Sequence, residues 1–178
     1  SALKEIAPLN GFMIRERLLA AILRFSDELA DDYTRADSTA MENGLVEGAS
    51  RIYHQYSKSL HTVQIREQTL SGYSEKTEFC EVYLSYSFDA CLAYEKFDKV
   101  GNQSYLIDEI YDRTIKMERE RRYCMRFMHR YIPIDKIHVN VEINDSENSL
   151  KSYTVKYVLE ERGYPPVIYK TKEDIGQE

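Results

Sequence analysis

Four carboxylates crowd into one short stretch of this chain. Residues 19–36 read LAAILRFSDELADDYTRA, placing Asp27, Glu28, Asp31 and Asp32 at the end of an otherwise apolar helix. Acid at a helix C-terminus meets the wrong pole of the dipole, so helix stability alone does not account for it. Carboxylate oxygens suit a hard divalent cation when further ligands converge. Asp27 and Asp31 are four apart, as are Glu28 and Asp32, and such pairs repel unless a cation or an arginine lies between them. The competing reading is a solvated helix end neutralised by Arg24 and Arg35. The four histidines (His54, His61, His129, His138) include no His-Asp doublet and no pair at helical spacing. Each reads as a surface or hydrogen-bonded histidine, so the chain contains at most one piece of a metal site.

A second concentration of chemistry lies in KMERERRYCMRFMHR (116–130), with Lys116, Arg119, Arg121, Arg122, Arg126 and Arg130 in an acidic protein. Arginine forks suit phosphate or carboxylate. Three readings compete. One is a solvated helix half in which Glu118 and Glu120 pair with the arginines. The second is a docking surface for another domain. The third is a phosphate or nucleotide site, with Arg119, Arg122, Arg126 and Arg130 as its contacts. No glycine-rich phosphate loop and no Ser/His/Asp or Cys/His arrangement is present.

These residues need elements to position them. Ile14, Leu18, Leu19, Ile22, Phe25 and Leu29 recur at three and four, predicting a helix from Phe12 to Tyr33 with Asn10 as its cap. A short helix is expected over Gly48–Ser57. The period then becomes two. His61, Val63 and Ile65 alternate with polar residues, and so do Val82, Leu84, Tyr86 and Phe88, joined by a polar link from Ser71 to Thr77. Residues 89–102 read as irregular or weakly helical. A long helix is expected from Tyr105 to Arg130, with Ile107, Ile110, Thr114, Met117, Cys124 and Met128 on one face and Pro133 beyond it. Two more alternating strands follow, through Ile137–Ile143 and Tyr153–Leu159, with hairpin chemistry at Asn144–Asn148. Gly163–Pro166 breaks the pattern, and a polar tail ends the chain. The fold class is α+β: an N-terminal helix, then a ββαββ antiparallel sheet with one polar face and the long helix on the other. Residues 1–58 form a helical segment, 59–165 the sheet-and-helix module and 166–178 the tail.

Composition sets the outer limits. The 178 residues are 43% hydrophobic and 30% charged, an ordinary globular mix. A net charge of −6 argues against nucleic acid as a partner. No apolar run reaches membrane-spanning length. The start lacks a signal-peptide core, so a cytoplasmic location is expected. Ser1-Ala2 reads as a tag remnant, which would make this an excised piece. Cys80, Cys91 and Cys124 have no CxxC spacing and are expected to be buried free thiols in a reducing compartment.

The stretch LLAAILRFSDELADDYTRA resembles the "LLRLADELD" helix of HD-type metal-dependent phosphohydrolases, which supplies the last Asp of that family's His…His-Asp…Asp metal signature. By the motif Asp27 is that Asp, after Ser26 where the family usually has Ala, and Asp31 is a second candidate. Downstream, YLIDEIYDRTIKMERERRYCMRFMHRYI followed by a strand resembles HD proteins associated with chaperone- and histidine-kinase-like ATPases. The resemblance implies that residues 1–58 end an HD helical bundle. It further implies that the intact protein uses a divalent metal (Mg, Mn, Fe or Zn) to hydrolyse a phosphoester or nucleotide. The first His and the His-Asp doublet are absent; in the family they precede the aspartate helix, where this chain has only residues 1–11. The chain alone is therefore expected to be metal-free and inactive, an accessory or regulatory portion. Its partners would be other domains of the same protein or further copies of itself. The alternative is a non-catalytic dimerisation or partner-binding module.

Overall fold

The structure is a computed structural model that describes residues 3–71, 76–99, 101–145 and 152–160. A small hairpin opens the chain, with strands β1 (Ala7–Leu9) and β2 (Phe12–Ile14) paired antiparallel. Its turn is Asn10-Gly11, both at positive φ (48° and 82°). Two consecutive left-handed residues joining antiparallel strands make a type I′ turn, for which Asn-Gly is the favoured pair. Asn10 is thus a turn residue and not the expected helix cap. The first helix, α1, is correspondingly shorter than expected, Glu16–Leu29. A 3-10 turn (Tyr33–Arg35) and helices α2 (Ser38–Glu42) and α3 (Gly48–Ser59) follow.

The main sheet is built from β3 (Leu60–Ser71), β4 (Lys76–Asp89), β7 (Ile134–Asn144) and β8 (Ser152–Glu160), in the order β3-β4-β7-β8. Between β4 and β7 lie the short helix α4 (Ala90–Ala93), the hairpin β5 (Lys96–Lys99) and β6 (Asn102–Tyr105), and the long helix α5 (Leu106–Met128). The α+β class and the two flanking hairpins are as the sequence predicts. The uniformly antiparallel pairing is not: β4 and β7 run parallel, Leu84 opposite Val139 and Tyr86 opposite Val141. The reason is geometric, because α5 carries the chain back across the sheet to the end where β4 began. A register shift between Leu60 and Thr62 places Leu60 opposite Tyr86, so Leu60 enters the core and His61 stays exposed. The links 72–75 and 146–151, and the expected break and tail beyond Glu160, lie outside the described residues.

The alternation does its work. Val82, Leu84 and Tyr86 on β4, Ile137, Val139 and Val141 on β7, and Tyr157 and Leu159 on β8 are buried in one cluster with Ile110, Met117, Cys124 and Met128 of α5. Ala21, Phe25 and Leu29 of α1 and Ile52 and Tyr56 of α3 join the same cluster, so the helix bearing the acidic end is part of this core. The buried tyrosines keep their hydroxyls paired: Tyr56 with Tyr86 at 3.1 Å, and Tyr157 with Thr114 at 2.8 Å. Burial pushes the Tyr56 hydroxyl up to about 12. Cys124 is buried and Cys80 half-buried; Cys91 is exposed, against expectation, because α4 meets the core through Leu92 and Ala93 and leaves Cys91 outward.

Candidate functional site: the acidic end of the first long helix

The four carboxylates go to four different places. Helix α1 ends at Leu29 with Ala30 as its C-cap, so Asp31 and Asp32 lie beyond it and the expected shared helical face breaks up. Asp32 caps the following 3-10 turn, accepting from Thr34 N (3.0 Å) and Thr34 Oγ1 (2.7 Å). Those two hydrogen bonds hold its carboxyl below the usual range. Glu28 accepts from Lys116 Nζ with both oxygens (2.8 and 3.0 Å). Asp31 accepts from Arg113 Nη1 and from Ser57 Oγ (3.1 Å). Asp27 points outward with its side chain 76% exposed, and Arg35 Nη2 is 3.3 Å away.

Asp31 therefore belongs to a cluster that spacing alone did not reveal. Arg113 also donates through Nε to Glu109 Oε1 (2.7 Å), whose other oxygen takes Lys99 Nζ (2.7 Å). The guanidinium lies over the rings of Tyr53 (5.1 Å) and Tyr56 (4.6 Å). Burial alone would raise the carboxyl of Glu109, but the hydrogen bonds from Lys99 and Arg113 outweigh it and hold the group below its ordinary value. The cluster borders a cleft of ≈ 290 Å³. Its charges answer one another, which is the chemistry of a clasp joining α1, α3, the β5–β6 hairpin and α5. Only the Glu109–Arg113 spacing of four signalled it in the sequence.

Two further ion pairs fasten α1 along α5. Arg24 grips Glu120 with both Nε (2.5 Å) and Nη2 (2.8 Å), and the Lys116–Glu28 pair lies one turn on. Asp27 is the outward member of this arrangement. A carboxylate oxygen is a donor type that hard cations accept, and here it faces one exposed arginine in a weak surface pair. It fits as one ligand only. Among the described residues, no three His, Cys, Asp or Glu side chains converge in a metal-binding group. The histidines lie on or next to separate elements: His54 on α3, His61 on β3, His129 just past α5, and His138 on β7, stacked on Tyr83 with ring centroids 4.4 Å apart.

The arginines of α5 also divide. Arg121 is buried, donating to both oxygens of Glu118 (2.6 and 2.7 Å) and to the Ile134 carbonyl (2.5 Å). That corrects the solvated reading for this pair; Arg121 sits in the core stripe, one turn from Met117 and Cys124. Arg126 and Arg130 line a cleft of ≈ 360 Å³ together with Arg15 and Arg17, two residues that sequence reasoning did not single out. Arg119 is exposed and Arg122 half-buried, and neither lines that cleft.

Among the described residues, no helix is long and apolar enough to cross a membrane. No curated protein and no solved structure matches the chain. The sequence model of the HD-CE family matches residues 1–97, from the first residue through β4 to the first half of the β5–β6 hairpin. That span holds α1 with Asp27 and covers more than half of the 178 residues. On that match the chain belongs to the HD-CE family.

Proposed function

We propose that this chain is the accessory or regulatory portion of an HD-type metal-dependent phosphohydrolase acting on a phosphoester or nucleotide. In this reading α1 is the last helix of the HD bundle, and Asp27 is the one ligand the chain contributes. The remaining ligands come from a segment N-terminal to Ser1 or from another chain. The observation that carries the reading is the outward stripe of α1. The helix buries Ala21, Phe25 and Leu29 against its own core, yet Leu19 (47% exposed) and Leu23 (71%) face away from it. Asp27 follows Leu23 by four residues on that same stripe. Two leucines exposed one turn apart on a single stripe suit a covering element, and the element that covers Leu19 and Leu23 would meet Asp27. A divalent metal bound there would supply an activated water. The work of this chain is to hold Asp27 in place, through the Arg24–Glu120 and Lys116–Glu28 pairs that tie α1 to α5 and the Arg113–Asp31 pair just past its end.

The test compares this chain with a version extended to include the segment encoded before Ser1, both assayed with manganese and a nitrophenyl phosphodiester. Turnover by the extended protein and none by the chain alone is expected. Turnover by the chain alone would overturn its accessory role. A non-catalytic dimerisation module is the second reading, favoured by Leu9, Phe12 and Met13, which stand 55%, 74% and 69% exposed on the opening hairpin. It predicts a dimer by light scattering that persists without metal and in Asp27→Ala.

A further inference from the structure

Eight cations of this protein are matched with a carboxylate. Arg24, Arg35, Arg51, Lys99, Arg113, Lys116, Arg121 and Lys136 each have one within ion-pair distance. At the far end of α1 from Asp27 the pattern reverses. Because α1 runs antiparallel to α5, its first turn lies beside the last turn of α5, bringing Arg15 and Arg17 to Arg126 and Arg130 around one cleft. Among the described residues, none of these four guanidinium groups has an ion-pair partner. Arg17 donates to the Leu3 carbonyl (2.9 Å), Arg15 lies over the Tyr131 ring (4.9 Å) and Arg126 over that of Tyr123 (5.8 Å). Glu5 is the one carboxylate lining the cleft, and His129 stands at its edge. Four arginines around one cleft with a single carboxylate among them carry a local excess of positive charge, in a chain whose net charge is −6. Leu18 and Phe127 supply an apolar wall, and ≈ 360 Å³ is the size of a small-molecule pocket.

We infer that this cleft binds a small, multiply charged phosphate anion, of the chemistry found in a pyrophosphate group or a nucleoside diphosphate. Guanidinium forks pair with phosphate oxygens two at a time, and several forks around one cavity match a ligand with adjacent phosphates better than a monoanion. The site is separate from Asp27, which lies ten helical positions from Arg17, roughly 15 Å at helical rise. Its occupancy would add a bridge between the first turn of α1 and the end of α5, complementing the clasp at the opposite end. It does not depend on the phosphohydrolase reading.

Isothermal titration calorimetry tests this with pyrophosphate, inorganic phosphate, ADP, adenosine and a single-stranded oligonucleotide as probes. Pyrophosphate and ADP are expected to bind, more weakly as salt rises, with inorganic phosphate weaker and adenosine inert. Tighter binding of ADP than of pyrophosphate would identify a nucleotide; equal binding would identify the phosphate chain alone. Arg126→Gln and Arg130→Gln should each weaken ADP binding roughly tenfold, about 1.4 kcal/mol, while the control Arg119→Gln, outside the cleft, leaves it unchanged. Thermal melts of each variant check that the fold is kept; Arg130 lies past the helix and is exposed. The inference is overturned by no heat from pyrophosphate or ADP at millimolar concentration, by equal loss in Arg119→Gln, or by an oligonucleotide binding more tightly than ADP.

Discussion

Replacing Arg113 with methionine removes the centre of the clasp while keeping most of its side-chain volume. The wild-type guanidinium is 30% exposed, donates to Glu109 and Asp31, and lies over Tyr53 and Tyr56. Glu109 retains Lys99, so its carboxylate is not stranded, but Asp31 keeps only Ser57 and the more distant Arg35 at 3.9 Å. Charge-assisted hydrogen bonds of this kind contribute about 1.5 kcal/mol or more each, and a partly exposed cation–π contact about 0.5–1 kcal/mol. After discounting for the exposure of Asp31 and Arg113, the expected loss is about 2–4 kcal/mol. In a domain of this size that lowers the melting temperature by roughly 4–16 °C. The pH dependence has a definite sign. Glu109 has a folded pKa below its unfolded one, so its contribution is present above the unfolded value and disappears as pH falls through the folded value. The gap between wild type and Arg113→Met, measured by urea denaturation followed by circular dichroism, should be widest near neutrality and narrow in acid. A gap below about 1 kcal/mol at neutral pH, or one that widens on acidification, would refute the reasoning.

Two other perturbations separate burial from exposure. Arg121→Met leaves a carboxylate that is fully buried without its guanidinium, and should cost about 3–5 kcal/mol in denaturant titrations. The double variant Glu118→Leu/Arg121→Met should recover much of that loss, since it removes both members of the buried pair. Gly11→Ala places a Cβ at φ 82° in the opening hairpin, where the space around it is open. Its cost should therefore be only the backbone strain, about 1–2 kcal/mol, read as a small drop in melting temperature; no change at all would dispute the type I′ turn.

The parts of the fold that were legible in the sequence are those set by local periodicity. Helix α5 runs Leu106–Met128 where spacing put a helix from Tyr105 to Arg130, and the inward set of β7 is the apolar set of its alternation. Strand partnership was not legible, because Val82–Phe88 alternates identically whether its neighbour is parallel or antiparallel. Asn10 was misread because asparagine suits both a helix N-cap and a left-handed turn, and only pairing of Leu9 with Phe12 decides between them. At the acidic helix end the residue types stood out, but their destinations depend on partners far along the chain: Arg113 lies 82 positions from Asp31, and Lys116 lies 88 from Glu28. The arginine cleft escaped notice for the same reason. Arg15 and Arg17 look unremarkable until α1 is laid against α5.

We propose that Asp27, held outward by the α1–α5 clamp, ligates a metal completed from outside the described residues. Metal content and metal-dependent phosphodiesterase rate of the protein extended before Ser1, compared between wild type and Asp27→Ala, test it most directly. Since losing even a residue that only supports a metal ligand costs 10- to 100-fold, the variant should lose bound metal and at least roughly 100-fold in rate, with its melting temperature little changed because the side chain is 76% exposed. An Asp27→Ala protein that keeps wild-type metal and rate would contradict the role given to Asp27.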